Sequence, residues 1–267
     1  MPLNGRDVVL YEKKGNVVQI TLNRPERLNS ITLEMYDRLE ECWRQFRDDP
    51  EARVAILTGA GKAFCAGMDL RDNAERVALD PSFDMVKLRP GVLDGTTGTP
   101  YGQGVWKPVI AAINGVATAG GFNFALCCDL RIAAPEAVLG VAEVKVGRGS
   151  PWSMPLLYQL PLAIAFELTM RGEMVPAQRL AEHGFINKIV PAEELLPTAH
   201  AWAQGMAENA PLSMMALKRA FYSAIDSNLF AAKQMAREIY SIVYTSHDAI
   251  EGPKAFAEKR KPVWRGT

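Results

Sequence analysis

The spacing of apolar positions along the chain predicts strands and helices mixed at first and helices alone at the end. Residues 8 to 22 hold two short β-branched runs around Lys14, Gly15 and Asn16, which reads as a hairpin. Thr32 then precedes LEMYDRLEECWRQF, where Tyr36, Leu39, Trp43 and Phe46 recur at helical spacing and charged residues fill the other face. That helix should close near Asp48, Asp49 and Pro50. VAILTG, VIAAING, DLRIAA and INKIV are short apolar runs of the kind that form strands buried on at least one face. From about residue 161 the period becomes helical: PLAIAFELTMR, then PAQRLAEHG with Pro176 near its first turn and Gly184 just past its end, then longer helices from Glu193 onward. This order predicts an α/β core over residues 1–195 and a helical region over 196–267. Within the core, residues 71 to 107 fit no period. Five glycines, two prolines and three threonines between Pro90 and Gly104 predict a long irregular loop, either a wall of a site or a mobile surface insertion.

Length and composition narrow the class. The chain has 267 residues, enough for one or two domains, and 48% hydrophobic with 22% charged residues is a globular composition. Thirty Lys and Arg balance thirty Asp and Glu, which argues against a nucleic-acid binder acting through its overall field. The four cysteines, Cys42, Cys65, Cys127 and Cys128, lack metal-binding spacing and read as reduced thiols of a cytoplasmic protein. No leader-like apolar run opens the sequence, and the most apolar stretch, residues 105 to 128, is interrupted by Lys107, Pro108, Asn114 and Asn123, so no membrane span is expected.

Several motifs fail on inspection. TGAGKAF has Ile56 where a phosphate loop needs its first glycine and Ala63 where it needs Ser or Thr, and Phe64 breaks a dinucleotide fingerprint. GRGSPWS lacks the order of a nucleophile elbow, so Ser150 reads as a turn residue. His183, His200 and His247 are too scattered for a metal site. What remains is a pair of small-residue loops, each following an apolar strand: Ala66-Gly67-Met68 and Ala119-Gly120-Gly121. Backbone N–H groups at such turns are free to face a ligand oxygen, and two of them from different loops would make an oxyanion hole.

TLNRPERLNS, VAILTGAGKAFCAGMDL, KPVIAAINGVATAGGFNFA, CDLRIAA, LGVAEVKVG and DAIEGPKAFAEKRKP, in this order from about residue 8 to 264, resemble the enoyl-CoA hydratase/isomerase (crotonase) family. The resemblance implies a crotonase-like spiral of ββα turns with a C-terminal helical region that trimerises, giving a homotrimer or a dimer of trimers. It implies an acyl-CoA substrate whose enolate is stabilised at the thioester oxygen by the Met68 and Gly120 N–H groups. No cofactor or metal is implied, since coenzyme A is part of the substrate. Glu143 matches one catalytic glutamate, and its neighbours Val141, Val144 and Val146 are expected to bury it and raise its pKa. Arg27, Leu28, Ser30, Ala66, Asp69, Leu70 and Gly121 match coenzyme-A-contacting positions. Lys259, within a C-terminal stretch where five cations face two carboxylates, matches a lysine that reaches the coenzyme A phosphates, in many members from a neighbouring subunit.

The chief departure is Asn123, which stands where hydratases carry their second glutamate. A carboxamide orients water but does not exchange its proton at neutral pH. One carboxylate is the pattern of the family's enoyl-CoA isomerases, so hydration and double-bond migration are both expected readings. Ring opening, hydrolysis or decarboxylation of an unusual acyl group, and a non-catalytic coenzyme-A-binding homologue, are the alternatives. RGSPWSMPL departs from the family after Gly147, which makes Trp152 and Met154 candidates for the acyl pocket. In the long loop Asp84 and Asp94 are candidate acids, and Phe83, Tyr101 and Trp106 candidate pocket walls.

Overall fold

A computed structural model describes residues 7–225 and 227–267; the first six residues, part of the N-terminal stretch read for a leader, lie outside them. The hairpin forms as β1 (Val9–Lys14) and β2 (Val17–Leu22), antiparallel around Gly15, whose φ of 59° suits glycine. Next comes α1 (Leu33–Asp48), capped by Thr32, whose hydroxyl accepts the Met35 N–H. Its apolar stripe buries Met35, Tyr36, Leu39, Trp43 and Phe46, as the spacing predicts.

The chain then winds in a spiral. β3 (Val54–Gly59) and β4 (Ala63–Cys65) lead into α2 (Leu70–Leu79), followed by the single-turn helices α3 (Met85–Leu88) and α4 (Gly91–Asp94). β5 (Val109–Ile113) and β6 (Val116–Thr118) lead into α5 (Gly120–Leu126). β7 (Leu130–Ala133) and β8 (Val138–Gly140) lead into a 3-10 turn over Glu143–Val146. In each turn the first strand joins a large sheet of order β1-β2-β3-β5-β7-β10, and the second joins a small sheet of order β4-β6-β8-β9. Then follow α6 (Leu156–Gln159), α7 (Leu162–Met170), β9 (Val175–Pro176), α8 (Ala177–Glu182), β10 (Lys188–Ile189), α9 (Ala192–Ala207), α10 (Pro211–Ile225), α11 (Leu229–Tyr244) and α12 (His247–Ala257). From β2 to β10 the large sheet is parallel, and its central strands β3 and β5 are buried throughout and read as apolar runs. In β3, Ala55 and Leu57 face the main core, while Val54 and Ile56 face Leu195, Ala199 and Ala203 of α9. The boundary expected between 195 and 196 therefore falls inside α9, and the cover of the sheet runs to Ala207.

One expectation needs correction, and one left open is decided. Residues 71–79 are helix, not loop: Asp69 caps α2 by accepting the Arg71 and Asp72 N–H groups, and because α2 buries none of its residues the sequence carries no core-facing period there. The segment from Pro90 to Gly104 is irregular but anchored. The Trp43 indole donates to the Gly98 carbonyl at 2.9 Å, and Thr99 is fully buried. It is a wall, and not a loose surface insertion. Pro176, expected near the first turn of its helix, is the residue directly before α8, and Gly184 takes φ 79° just beyond its end, as expected.

Candidate active site

The small sheet aligns three chain segments. Its parallel strands β4, β6 and β8 end at Cys65, Thr118 and Gly140, and the residues that follow each strand lie side by side around one cavity of about 430 Å³. Ala66, Met68 and Leu70 come from the first, Ala119 and Gly120 from the second, Ala142 and Glu143 from the third. Asn123, Trp152, Tyr36 and the segment from Gly91 to Thr97 complete the walls. The sequence motifs thus meet because successive spiral turns repeat the same path.

Two backbone N–H groups beside this space, at Met68 and Gly120, are left over by the elements they belong to. Ile31 forms a parallel bridge with Met68, its N–H donating to the Gly67 carbonyl at 2.8 Å and its carbonyl accepting the Asp69 N–H at 2.9 Å. In a parallel ladder a residue bonded through its two neighbours turns its own N–H and C=O the other way, so the Met68 N–H faces away from Ile31. Gly120 opens α5, where the first-turn N–H groups have no acceptor within the helix. Ala119 before it adopts φ 52° and ψ −127°, a conformation that favours glycine and costs an alanine on the order of 1–3 kcal/mol. This turn sets the two loops against each other. A Cβ placed on Gly67 would lie 2.8 Å from Ala119 Cβ and 3.4 Å from the Gly120 nitrogen.

Glu143 is the carboxylate of the cavity. Its Oε2 is buried and has no hydrogen-bond partner. Burial raises its pKa above the ordinary glutamate value, and backbone N–H groups and the Trp152 indole oppose that only in part. Direction and cause agree with the sequence reading, but of the three valines only Val141 is buried, Val144 and Val146 being 49% and 61% exposed. Val146 nonetheless stands in the cavity wall with Glu143. Tyr36 stays a neutral phenol, because burial holds its pKa far above the ordinary value.

Asn123 is present but occupied. Its Nδ2 donates to the Gly95 carbonyl at 3.0 Å, and its Oδ1 lies 3.5 Å from the Cys127 thiol. At Gly95, φ is 81°, and a Cβ there would lie 2.6 Å from Trp152 Cβ and 2.9 Å from Asn123 Oδ1, so only glycine fits this contact. The carboxamide therefore ties the wall segment to α5.

Of the other sequence candidates, Ala66 and Leu70 line the cavity, whereas Arg27, Leu28, Ser30, Asp69, Gly121 and Lys259 do not. Arg27 is exposed, and the Leu28 carbonyl accepts the Ala66 N–H at 3.0 Å, bracing the Met68 loop from behind. The Ser30 and Asp69 side chains turn inward to Arg24, which the sequence reading left out. Arg24 pairs with Asp69 at 3.1 Å and reaches the Ser30 carbonyl, and all three residues are buried. Gly121 is a packing position, where a Cβ would lie 2.1 Å from the Cys65 carbonyl oxygen. Lys259 is exposed beyond α12 with φ 53°; nearby, Arg260 pairs with Glu251 and Glu258. Asp94 is spent on Thr96, whose N–H and hydroxyl both bond it. Tyr101 and Trp106 pack on Tyr222 of α10 rather than on the cavity. Trp152 is a cavity wall, while Met154 is exposed. Among the described residues no cluster of His, Cys, Asp and Glu could hold a metal ion, and no helix is long and apolar enough to cross a membrane.

The same architecture and sequence recur in known proteins. The family model described as enoyl-CoA hydratase/isomerase matches residues 12–267. The chain is 37% identical to (E)-benzylidenesuccinyl-CoA hydratase of Thauera aromatica over 261 residues, covering 97% of this chain and 99% of that protein. It is 39% identical to carnitinyl-CoA dehydratase of Escherichia coli (strain K12) over 263 residues, covering 95% and 97%. Among solved structures, an enoyl-CoA hydratase from Mycobacterium tuberculosis H37Rv superposes with a TM-score of 0.88 at 35% identity, covering 98% of this chain and 100% of that one. An enoyl-CoA hydratase from Bacillus anthracis superposes with a TM-score of 0.89 at 32% identity, covering 97% and 100%.

Proposed function

This chain belongs to the enoyl-CoA hydratase/isomerase family, and from that premise we propose that it reversibly adds water to the double bond of a 2-enoyl-CoA thioester with Glu143 as its one proton carrier. The observation that carries this reading is the unpartnered, buried Oε2 of Glu143 in a cavity that also borders Met68 and the first residue of α5. In the forward step the Glu143 carboxylate takes a proton from water as the water oxygen bonds to Cβ. The π electrons move toward the thioester, and the negative charge collects on its oxygen, where the Met68 and Gly120 N–H groups stabilise it. Protonated Glu143 then gives its proton to Cα, and the carboxylate is restored. One water is consumed, and both new bonds form from the side on which Glu143 stands. Its raised pKa suits a group that must accept a proton and return it.

Isomerisation is the second reading, because a single carboxylate also suffices to move a proton between two carbons of one acyl chain. The names of the relatives, a hydratase and a dehydratase, favour water addition. Supplying a 2-enoyl-CoA and a 3-enoyl-CoA separately decides between them: a 3-hydroxyacyl-CoA forms rapidly from the first under the hydratase reading. Rapid interconversion of the two enoyl isomers without hydroxyacyl product would overturn it.

Asn123, in this reading, positions the wall and takes no part in proton transfer. Asn123→Ala leaves the buried Gly95 carbonyl without its donor, at a cost of about 1–3 kcal/mol. The expected kinetic result is a KM raised more than kcat is lowered. A kcat loss as deep as that of a Glu143 variant would instead put Asn123 in the chemistry.

We further propose a homotrimeric assembly through the C-terminal helices, with cytoplasmic residence as the accompanying expectation. In the single chain α11 buries none of its residues, and Leu229, Phe230 and Tyr244 on it, with Phe221 and Phe256 beside it in sequence order, are 66% to 87% exposed. So much uncovered aromatic and aliphatic surface is the mark of an interface. Sedimentation equilibrium should return three chains or six, and a monomer at micromolar concentration would contradict the assignment.

A further inference from the structure

A second cavity of about 390 Å³ lies beside the first, between α2 and α3, and the two share Met68 and Arg148 as lining residues. Its character differs from that of the first: Asn73, Ser82, Asp84 and Lys87 give it a polar wall. Arg148 stands at the junction. Its backbone is tied to the catalytic segment, its N–H donating to the Glu143 carbonyl at 2.9 Å. Among the described residues its guanidinium has neither a hydrogen bond nor an ion pair. The other cation of the second cavity, Lys87, sits 3.9 Å from Asp84, so each offsets the other. The junction thus carries one uncompensated positive charge, next to the residue whose N–H would hold the thioester oxygen.

A guanidinium is a planar fork of donors whose shape matches a carboxylate. Resting on the hydratase reading, we propose that Arg148 binds a carboxylate on the acyl group, so that the preferred substrate is the mono-CoA thioester of an unsaturated dicarboxylic acid. The thioester lies at Met68, and the acyl chain runs toward the second cavity until its far carboxylate meets Arg148. A neutral acyl chain leaves that guanidinium without its partner, and a cationic one is repelled by it. This gives specificity through one charge-assisted contact, while the first cavity's apolar walls accept the chain itself.

The test is a ratio. Wild type and Arg148→Gln are each given the 2-enoyl mono-CoA thioester of a dicarboxylic acid and the methyl ester of that same acyl group, over a series of chain lengths. The expected wild-type preference in kcat/KM for the free acid is roughly 10- to 100-fold at the best length, carried by KM, and the variant should bring the ratio close to one. The same ratio is read without turnover by titration calorimetry with the saturated thioesters and their methyl esters. That keeps a failure of this proposal distinct from a failure of the hydratase reading. A wild-type ratio near one, or a ratio that Arg148→Gln leaves in place, overturns the proposal; a variant that weakens acid and ester equally would place Arg148 on the coenzyme A portion instead.

Discussion

Glu143→Gln should lower kcat for hydration by roughly 10²- to 10⁴-fold, the range expected for losing a positioned acid–base group, while the affinity for the CoA thioester changes little. Glutamine keeps the size and polarity of the side chain but neither takes the proton of water nor returns one to Cα. Binding survives because the donors at Met68 and Gly120 and the apolar walls are untouched. The pH dependence follows from the direction of the pKa. Forward hydration needs the carboxylate form, and burial lifts the Glu143 pKa above its ordinary 4.5. The acidic limb of kcat/KM should therefore lie above that value and should be missing from the residual activity of the variant. Linkage gives the corresponding statement for stability. A group whose folded pKa is raised contributes most below its unfolded pKa, and that contribution is lost as pH rises through the folded value. Wild type should accordingly lose this increment on the way to neutrality, whereas Glu143→Gln should not. Full activity in the variant would remove Glu143 from the mechanism.

Arg24→Leu should destabilise the chain by about 3–5 kcal/mol, the cost of leaving a buried carboxylate without its partner. Arg24 and Asp69 are 4% and 7% exposed, and the carboxylate serves both sides of the site. One oxygen accepts from Arg24 and Ser30, and the other caps α2 directly after Met68. Removing the cation should thus loosen the Met68 loop as well as the fold. A double variant, Arg24→Leu with Asp69→Asn, removes both charges and should recover part of the loss in a urea titration. Burial by itself would raise the Asp69 pKa, but the Asp72 N–H, Arg24 and Ser30 outweigh it and hold the value below the ordinary range. A depressed carboxylate pKa stabilises the fold above the unfolded value and ceases to do so as pH falls through the folded one. The wild type should therefore show this contribution disappearing in acid, and the double variant should lack that step. If Arg24→Leu unfolds at the wild-type urea concentration, the buried pair does not hold the loop.

What the sequence makes legible depends on how local the cause is. The stripe of α1, the hairpin around Gly15 and the apolar runs of β3 and β5 follow from period and burial, and each forms where the pattern puts it. The loops at Met68 and Gly120 are recognisable because small residues after a strand mark places where the backbone is close to something. The α2 helix was hidden for the opposite reason, since it buries nothing and its evidence is one capping aspartate. Asn123 was visible as a departure but its occupation was not: the Gly95 carbonyl that claims its carboxamide lies 28 residues away in sequence, on an irregular wall. Arg24 stood in plain view in TLNRPERLNS, yet its role depends on Asp69, 45 residues on. Ser30 and Asp69 match coenzyme-A-contacting positions of the family, but the structure turns their side chains to each other. An arginine followed closely by a small polar residue, with an aspartate after the glycine loop, was the signal for that cluster. The second cavity and the free guanidinium of Arg148 have no sequence signature, because they arise from how α2 and α3 sit against the Glu143 turn.

The central claim, one carboxylate and two backbone donors acting on a thioester, is tested most directly by a crystal structure with a bound 3-hydroxyacyl-CoA. The account predicts the thioester oxygen at about 2.7–3.1 Å from both the Met68 and Gly120 nitrogens, Glu143 Oε2 within hydrogen-bond reach of the 3-hydroxyl, and Asn123 still bonded to the Gly95 carbonyl. A thioester oxygen bound elsewhere, or Asn123 swung away from Gly95 to hold the hydroxyl in place of Glu143, would contradict it.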